Sequence, residues 1–243
     1  MTELPERKLP EPKRREPKRR EGVPVGRAAF LGLAAAGISS LAWGKTAFDA
    51  VASAIPSGLP SIAPSNGWRI YSISSPLPTF DPATYSLEVF GLLDKPFKLS
   101  YADLQDLPQE RQVSDFHCVT GWSVEDVHWE GVRIQELLKA VNLAPNARAL
   151  RFNSAELPYD SALTLEQALL PDVMLALKMD GKPLTRPHGS PVRLVIPQMY
   201  GYKGVKWLKS IEVSREAFAG YWEREGYDND AWVGRSNGYG DSS

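Results

Sequence analysis

One cysteine, Cys118, and three histidines, His117, His128 and His188, are all that this 243-residue chain holds in thiol or imidazole groups. An intramolecular disulfide is therefore excluded, as is a zinc site built on several thiolates. Three histidines also leave little for a multi-histidine metal site. No Cys-x-x-Cys-His is present to attach a haem. Neither GxxxxGK[ST] nor a GxGxxG after a strand occurs, so a mononucleotide or dinucleotide loop lacks support. Whatever chemistry exists must use one thiol, a few histidines, or a bound cofactor.

Net charge is equally scarce, at −1, but it is unevenly spread. Residues 1–54 hold ten Lys/Arg and six Asp/Glu, leaving 18 basic and 23 acidic residues in the remainder. Basic runs can bind phosphates. Here KLPEPKRREPKRRE alternates acids and prolines with the bases, so residues 1–27 read as a basic disordered leader, and no nucleic-acid partner is expected. Residues 28–54 follow as a hydrophobic signal or anchor segment. The uncharged apolar part, 28–44, is short for a spanning helix, which needs about 20 residues, and suits a signal peptide's h-region. Ala52-Ser53-Ala54 supplies a small-residue cleavage site. Gly26-Arg27-Ala28-Ala29-Phe30-Leu31 resembles a twin-arginine export signal with Ala28 in place of the second arginine. The expected location is exported, periplasmic or extracytoplasmic, with anchoring through 28–44 as the alternative.

The rest is ordinary globular composition, 43% hydrophobic and 23% charged, which suits a domain with a sizeable core. Residues 55–67 read as a linker, and the Pro/Ser/Gly-rich character continues to about 82, as chain that wraps rather than packs. TYSLEVFGLL alternates as a strand, with Gly91 at a turn. LSYADLQDLP reads as a short helix capped by Ser100 with Asp103 three residues on. RQVSDFHCVT is a strand ending at the cysteine. VHWEGVRIQELLKAVNL reads as an amphipathic helix burying Val132, Leu137, Leu138 and Val141. ARALRFNS is a strand, LTLEQALL a short helix, and VMLALKMDG a strand turning at Asp180-Gly181. PVRLVIP and VKWLKSIEVS complete the series. The expected fold class is α+β, mixed β-sheets with short helices, over 68–215. Residues 216–243 are expected as an extended C-terminal arm over the surface.

Two places can carry chemistry. Cys118 lies at a strand end before a Gly-Trp turn. It can be a small buried hydrophobe, a nucleophile, or a soft-metal ligand. A nucleophile assisted by His117 is geometrically poor, because neighbours on a strand point to opposite faces. The second place is TRPHGSPVRLVIPQMYGYKGVKWL, which gathers Arg186, His188, Arg193, Lys203 and Lys206 around Gly189, Gly201 and Gly204. Glycines let backbone N–H groups approach an anion, and arginine and lysine add fork and point charge. It reads either as a phosphate-binding patch or as a surface hairpin with solvated charges.

Together these stretches carry a resemblance. Phe116-His117-Cys118-Val119-Thr120-Gly121-Trp122-Ser123-Val124, Trp129-x-Gly131 with Leu137-Leu138, Arg186-Pro187-His188-Gly189-x-Pro191-Val192-Arg193, and Gly201-Tyr202-Lys203-Gly204-Val205-Lys206-Trp207 resemble the molybdopterin domain of the sulfite oxidase family. They are most similar to its bacterial sulfite oxidase-like and YedY-type members. The resemblance implies the molybdenum cofactor, one molybdenum per chain, with Cys118 as the metal ligand. It implies pterin contacts at Ser154, His188, Arg193, Lys203, Gly204, Val205 and Lys206. Arg69 and Tyr71 stand where the family's N-terminal pterin contacts lie, but without its Asn-containing motif. Acids Glu125 and Asp126 replace the arginines that follow the cysteine in true sulfite oxidases. The expectation is therefore an oxo-transfer oxidoreductase reducing S- or N-oxides such as methionine sulfoxide, with sulfite oxidation as the alternative and a cofactor-free binding protein as the rival of another class. Electrons would come from a separate partner, such as a membrane haem protein.

Overall fold

The computed structural model describes residues 67–139 and 141–235. The expected leader, the signal or anchor segment, nearly all of the linker and the last eight residues lie outside them. Strand β1 (Ser86–Gly91) pairs with β2 (Phe97–Ser100), which runs straight into helix α1 (Tyr101–Asp106). The Ser100 side chain accepts from the Asp103 amide while Asp103 accepts from Ser100, the reciprocal cap expected from the sequence. Strands β3 (Glu110–Cys118) and β4 (Trp122–Arg133) then form a long hairpin whose tip carries the cysteine.

The hairpin corrects one expectation. Residues 127–133, read as the start of an amphipathic helix, are strand, and only α2 (Ile134–Leu138) is helical. Val127 and Trp129 are buried on alternate positions, and β-branched and aromatic residues at period two favour a strand paired on both sides. Val132, Leu137 and Leu138 are buried as expected, while Val141 is only partly so. After β5 (Ala149–Ser154), β6 (Asp160–Thr164) leads into α3 (Leu165–Ala168). Then come β7 (Met174–Met179), β8 (Lys182–Pro183), β9 (Arg193–Val195), β10 (Leu208–Ser214) and α4 (Tyr221–Arg224).

Two five-stranded sheets result. One has the order β2-β1-β10-β5-β6, in which only β1 and β10 run parallel. The other is β3-β4-β7-β8, with β9 also on β7 and every pairing antiparallel. This is the mixed-sheet α+β architecture that the alternation predicts. Leu87, Leu150, Phe152, Leu175, Leu194 and Ile211 belong to the principal buried cluster. A second cluster joins Trp129, Val127 and Met174, with Trp68 and Phe116 packed against it. Residues 216–235 are mostly exposed or half-buried but are anchored to the domain at a few points. Glu223 and Ala231 are buried, Met199 and Trp232 form a β-bridge, and Tyr200 donates to the Ala231 carbonyl at 2.9 Å. Among the described residues no helix is long and apolar enough to cross a membrane.

Candidate functional site

A cavity of about 300 Å³ opens where the hairpin tip meets the connections around β9. Its first wall is the end of β3 and the turn into β4: Phe116, Cys118, Val119, Thr120 and Trp122. The turn closes with Gly121 at φ +86°, its N–H donating to the Cys118 carbonyl at 3.0 Å. That conformation favours glycine. Cys118 is partly buried, and its Sγ lies 3.1 Å from Thr120 Oγ1. His117 instead faces Ser123, Nδ1 to Oγ 2.8 Å, so the adjacent-residue geometry keeps it off the thiol.

The opposite wall is cationic, with Arg193 buried and Lys206 partly so. Arg193, 3% exposed, projects from β9, stacks its guanidinium 5.5 Å from the Phe116 ring and 5.3 Å from that of Trp129, and donates to the His188 carbonyl at 3.4 Å. Burial pulls its pKa down to about 10. Lys206 Nζ donates to the Tyr71 carbonyl at 2.6 Å. Burial first, and then the neighbouring Arg193 charge, bring its pKa down to about 8. Burial and the same two cations hold His188 down at about 4, so its imidazole is neutral at pH 7. Gly201 and Gly204 complete this wall. A Cβ at Gly201 would stand 2.2 Å from Phe116 Cζ, and one at Gly204 would stand 3.0 Å from the Leu194 carbonyl oxygen. A side chain at Gly201 would have to displace the Phe116 ring, and one at Gly204 would be tight against the backbone.

Two further boundaries were legible only in part, through Arg69 and Tyr71. Residues 68–73 line the cavity as a strap, bringing the candidates Arg69 and Tyr71 to it. Trp68 packs on Phe116 at 4.8 Å and edge-on to His188 at 4.9 Å. Glu156, 3% exposed, holds the strap by accepting from Ser72 Oγ, from Ile73 N at 2.8 Å and from Ser74 N at 3.2 Å. Tyr159, Trp222 and Tyr227 close the far end. The Pro/Ser character of 68–78 concealed the strap. The signal that could have found it is the Trp-Arg-Ile-Tyr run, too apolar and aromatic for a solvated linker.

The expected contacts divide accordingly. Cys118, His188, Arg193, Gly204 and Lys206 come together on the cavity. Ser154 lies behind it, donating to the Lys206 carbonyl at 2.8 Å and accepting from Glu156 N at 2.9 Å. Val205 is fully buried and is not part of the lining. The direct contact expected of Lys203 is a correction. Its ammonium, 3% exposed, points away from the cavity into a 2.5 Å ion pair with Glu223.

Residues 74–222, more than half of the chain, match the family described as oxidoreductase molybdopterin binding domain. The chain belongs to the sulfite oxidase family of molybdopterin-binding oxidoreductases. Family relatives include the oxidoreductase YuiH of Bacillus subtilis (strain 168), 37% identical over 154 residues, which are 63% of this chain and 77% of that one. The protein-methionine-sulfoxide reductase catalytic subunit MsrP of Gluconobacter oxydans (strain 621H) is 34% identical over 152 residues, covering 56% of this chain and 48% of MsrP. Sulfite oxidase of Arabidopsis thaliana is 30% identical over 187 residues, covering 63% and 48%. The chain thus spans about half the length of these last two relatives. The sulfane dehydrogenase SoxCD of Paracoccus pantotrophus shares the fold, with a TM-score of 0.55 at 23% identity over 59% of this chain and 41% of that one.

The residues present fit a molybdopterin. Among the described residues, Arg193 Nε and His188 Nδ1 are buried without a hydrogen-bond partner. Buried polar atoms of this kind call for a ligand or water. Among the described residues no group of three or more His, Cys, Asp and Glu could hold a metal ion, so a metal here depends on one thiolate and a ligand that brings its own donors.

Proposed function

We propose that this family enzyme is an oxo-transfer oxidoreductase whose molybdenum, one per chain, is ligated by Cys118. The observation that carries the reading is one cavity holding a lone thiol on one wall and two cations, buried Arg193 and part-buried Lys206, on the other. Bound there, the cofactor supplies two-electron oxygen-atom transfer. Cys118 provides a soft thiolate, whose proton is lost on coordination. Arg193 and Lys206 hold the pterin phosphate, the one as a planar fork and the other as a point charge. Neutral His188 offers one ring nitrogen as donor and the other as acceptor. The strap over residues 68–73 forms a side of the cavity, with Trp68 packed on Phe116.

The substrate class is S- or N-oxides, with methionine sulfoxide in proteins foremost. The support is a sequence departure: the acids Glu125 and Asp126 stand where true sulfite oxidases carry arginines after the cysteine, although neither acid lines the cavity. The name of the MsrP relative accords with this reading. As that relative is a catalytic subunit, electrons are proposed to arrive from a separate partner, a membrane haem protein. Export through the segment before residue 55 follows from the same reading.

The test is molybdenum and pterin per chain in protein purified from a molybdopterin-competent host, followed by sulfoxide reduction and sulfite oxidation with artificial electron carriers. Folded protein without molybdenum would sink the enzyme reading. Faster turnover of sulfite than of sulfoxides would reverse the substrate order.

A further inference from the structure

Lys203 and Glu223 form the one ion pair among the described residues in which both side chains are nearly sealed from solvent, at 3% and 1% exposure. They come from segments twenty residues apart. Lys203 ends the short 3₁₀ turn Gly201–Lys203, whose backbone forms part of the cationic wall, and Glu223 lies in α4. Desolvating two charges costs several kcal/mol per ion, so such a pair is weak evidence for stability and better evidence for orientation.

The surroundings show what is oriented. Gly201 is pressed on Phe116, and a Cβ at Gly204 would lie 3.5 Å from the Arg193 guanidinium. A turn this close to the buried arginine sets where that arginine rests. Tyr202, between the two, is fixed at both ends: its carbonyl accepts from Tyr159 Oη at 2.5 Å, and its own hydroxyl donates to the Asp228 carbonyl at 2.7 Å. Helix α4 is seated for this. A Cβ at Gly220 would meet the Asp160 carbonyl oxygen at 2.7 Å and Glu223 Oε2 at 2.8 Å, so only glycine lets the helix approach β6. Arg224 then ties it to Asp160 at 2.9 Å. Trp222 and Tyr227, on either side of Glu223, line the cavity.

We propose that Glu223 is a positioning residue for the candidate pterin site, acting through Lys203 to hold the Gly201–Gly204 turn against Arg193. This rests on the cofactor reading above. The C-terminal segment is then a working wall of the site, and the first lysine of the GYKGVK motif serves the anion cradle from behind while Lys206 serves it directly.

The experiment uses full-length protein loaded in a molybdopterin-competent host. Pterin release is followed by the fluorescence of the oxidised pterin, well below each protein's thermal midpoint. The proteins compared are wild type, Glu223→Gln, Lys203→Arg, and Lys203→Met with Glu223→Met. Glu223→Gln is expected to release pterin about tenfold faster or more, because the cradle is no longer held in one geometry. The double methionine variant regains the wild-type midpoint, since an apolar pair of similar volume replaces the buried charges, yet releases as fast as Glu223→Gln. Lys203→Arg, which keeps the charge, restores slow release. Release within twofold of wild type in Glu223→Gln, or stability and retention recovered together in the double variant, would overturn the proposal. Wild-type protein that holds no pterin at all would sink the cofactor reading with it. Variants as retentive as a pterin-holding wild type would sink this inference alone.

Discussion

The two walls of the cavity are built on opposite physical terms. The thiol wall is a partly exposed hairpin tip, with Cys118 Sγ 3.1 Å from Thr120 Oγ1. The cationic wall centres on buried Arg193 beside part-buried Lys206, is rich in glycine, and carries two charges whose pKa values burial has pulled down. Among the described residues Arg193 and Lys206 donate to carbonyls and neither is in an ion pair, so a bound anion would relieve the cost of desolvating them. The difference suggests a division of labour, in which one wall reacts and the other holds.

The sharpest way to break that division is to alter each wall alone. Cys118→Ser should lower turnover by about a thousandfold or more, equivalent to about 4 kcal/mol of barrier, while pterin content stays near that of wild type. Unchanged activity in a steady-state assay would refute the ligand role. Arg193→Met should do the reverse of a stability mutation. Calorimetry on cofactor-free protein should show a midpoint equal to or above wild type, because a desolvated charge has been removed. Pterin content should fall by about tenfold or more. A variant that loses stability but keeps its pterin would show that Arg193 is a packing residue.

How far the sequence reveals these walls differs in the same way. Ser100 with Asp103, the strand ending at Cys118, and the turn at Asp180-Gly181 are local signals, and the structure has each of them. Residues 127–133 misled because Leu137, Leu138 and Val141 fall at helical spacing and draw the stripe back to Val132, which does not, while the pairing of β4 with both β3 and β7 is a tertiary fact. The glycines and cations of 186–206 marked the cradle. Which lysine faces the cavity was not legible, since Lys203 is turned away by Glu223, a partner supplied from a segment expected on the surface. Glu156 was invisible for the same reason. Its role comes from three amides and hydroxyls more than eighty residues away in the chain, and no spacing rule encodes such a contact.

Gly201 is where the two walls lean on each other, so it tests whether they are mechanically independent. Gly201→Ala places a methyl 2.2 Å from Phe116 Cζ. Overpacking of this kind should cost about 1–3 kcal/mol in urea unfolding. If the walls are coupled through Phe116, the reactivity of the Cys118 thiol toward a maleimide should change in the same variant. Unchanged stability and unchanged thiol reactivity would mean that the ring simply swings aside.

The smallest effect is also the most diagnostic, because its sign differs between the empty and the loaded protein. Lys206 has a pKa of about 8 when folded against an ordinary 10.5, with burial the main cause and Arg193 the second. A cation whose folded pKa is depressed favours unfolding while it is protonated in the unfolded chain and neutral in the folded one. This group's contribution to the stability of cofactor-free protein should therefore rise as pH climbs from about 8 toward 10.5. Pterin retention should run the other way. A bound phosphate stabilises the ammonium and raises its pKa. The hold therefore weakens by up to about tenfold per pH step of one between about pH 8, where the empty site loses its proton, and the higher pKa of the loaded site. Measuring pterin release and cofactor-free unfolding side by side from pH 7 to pH 9.5 should give slopes of opposite sign, and Lys206→Met should flatten both. Retention that is flat with pH in wild type, or that keeps its slope in Lys206→Met, would remove Lys206 from the anion site and leave Arg193 to hold it alone.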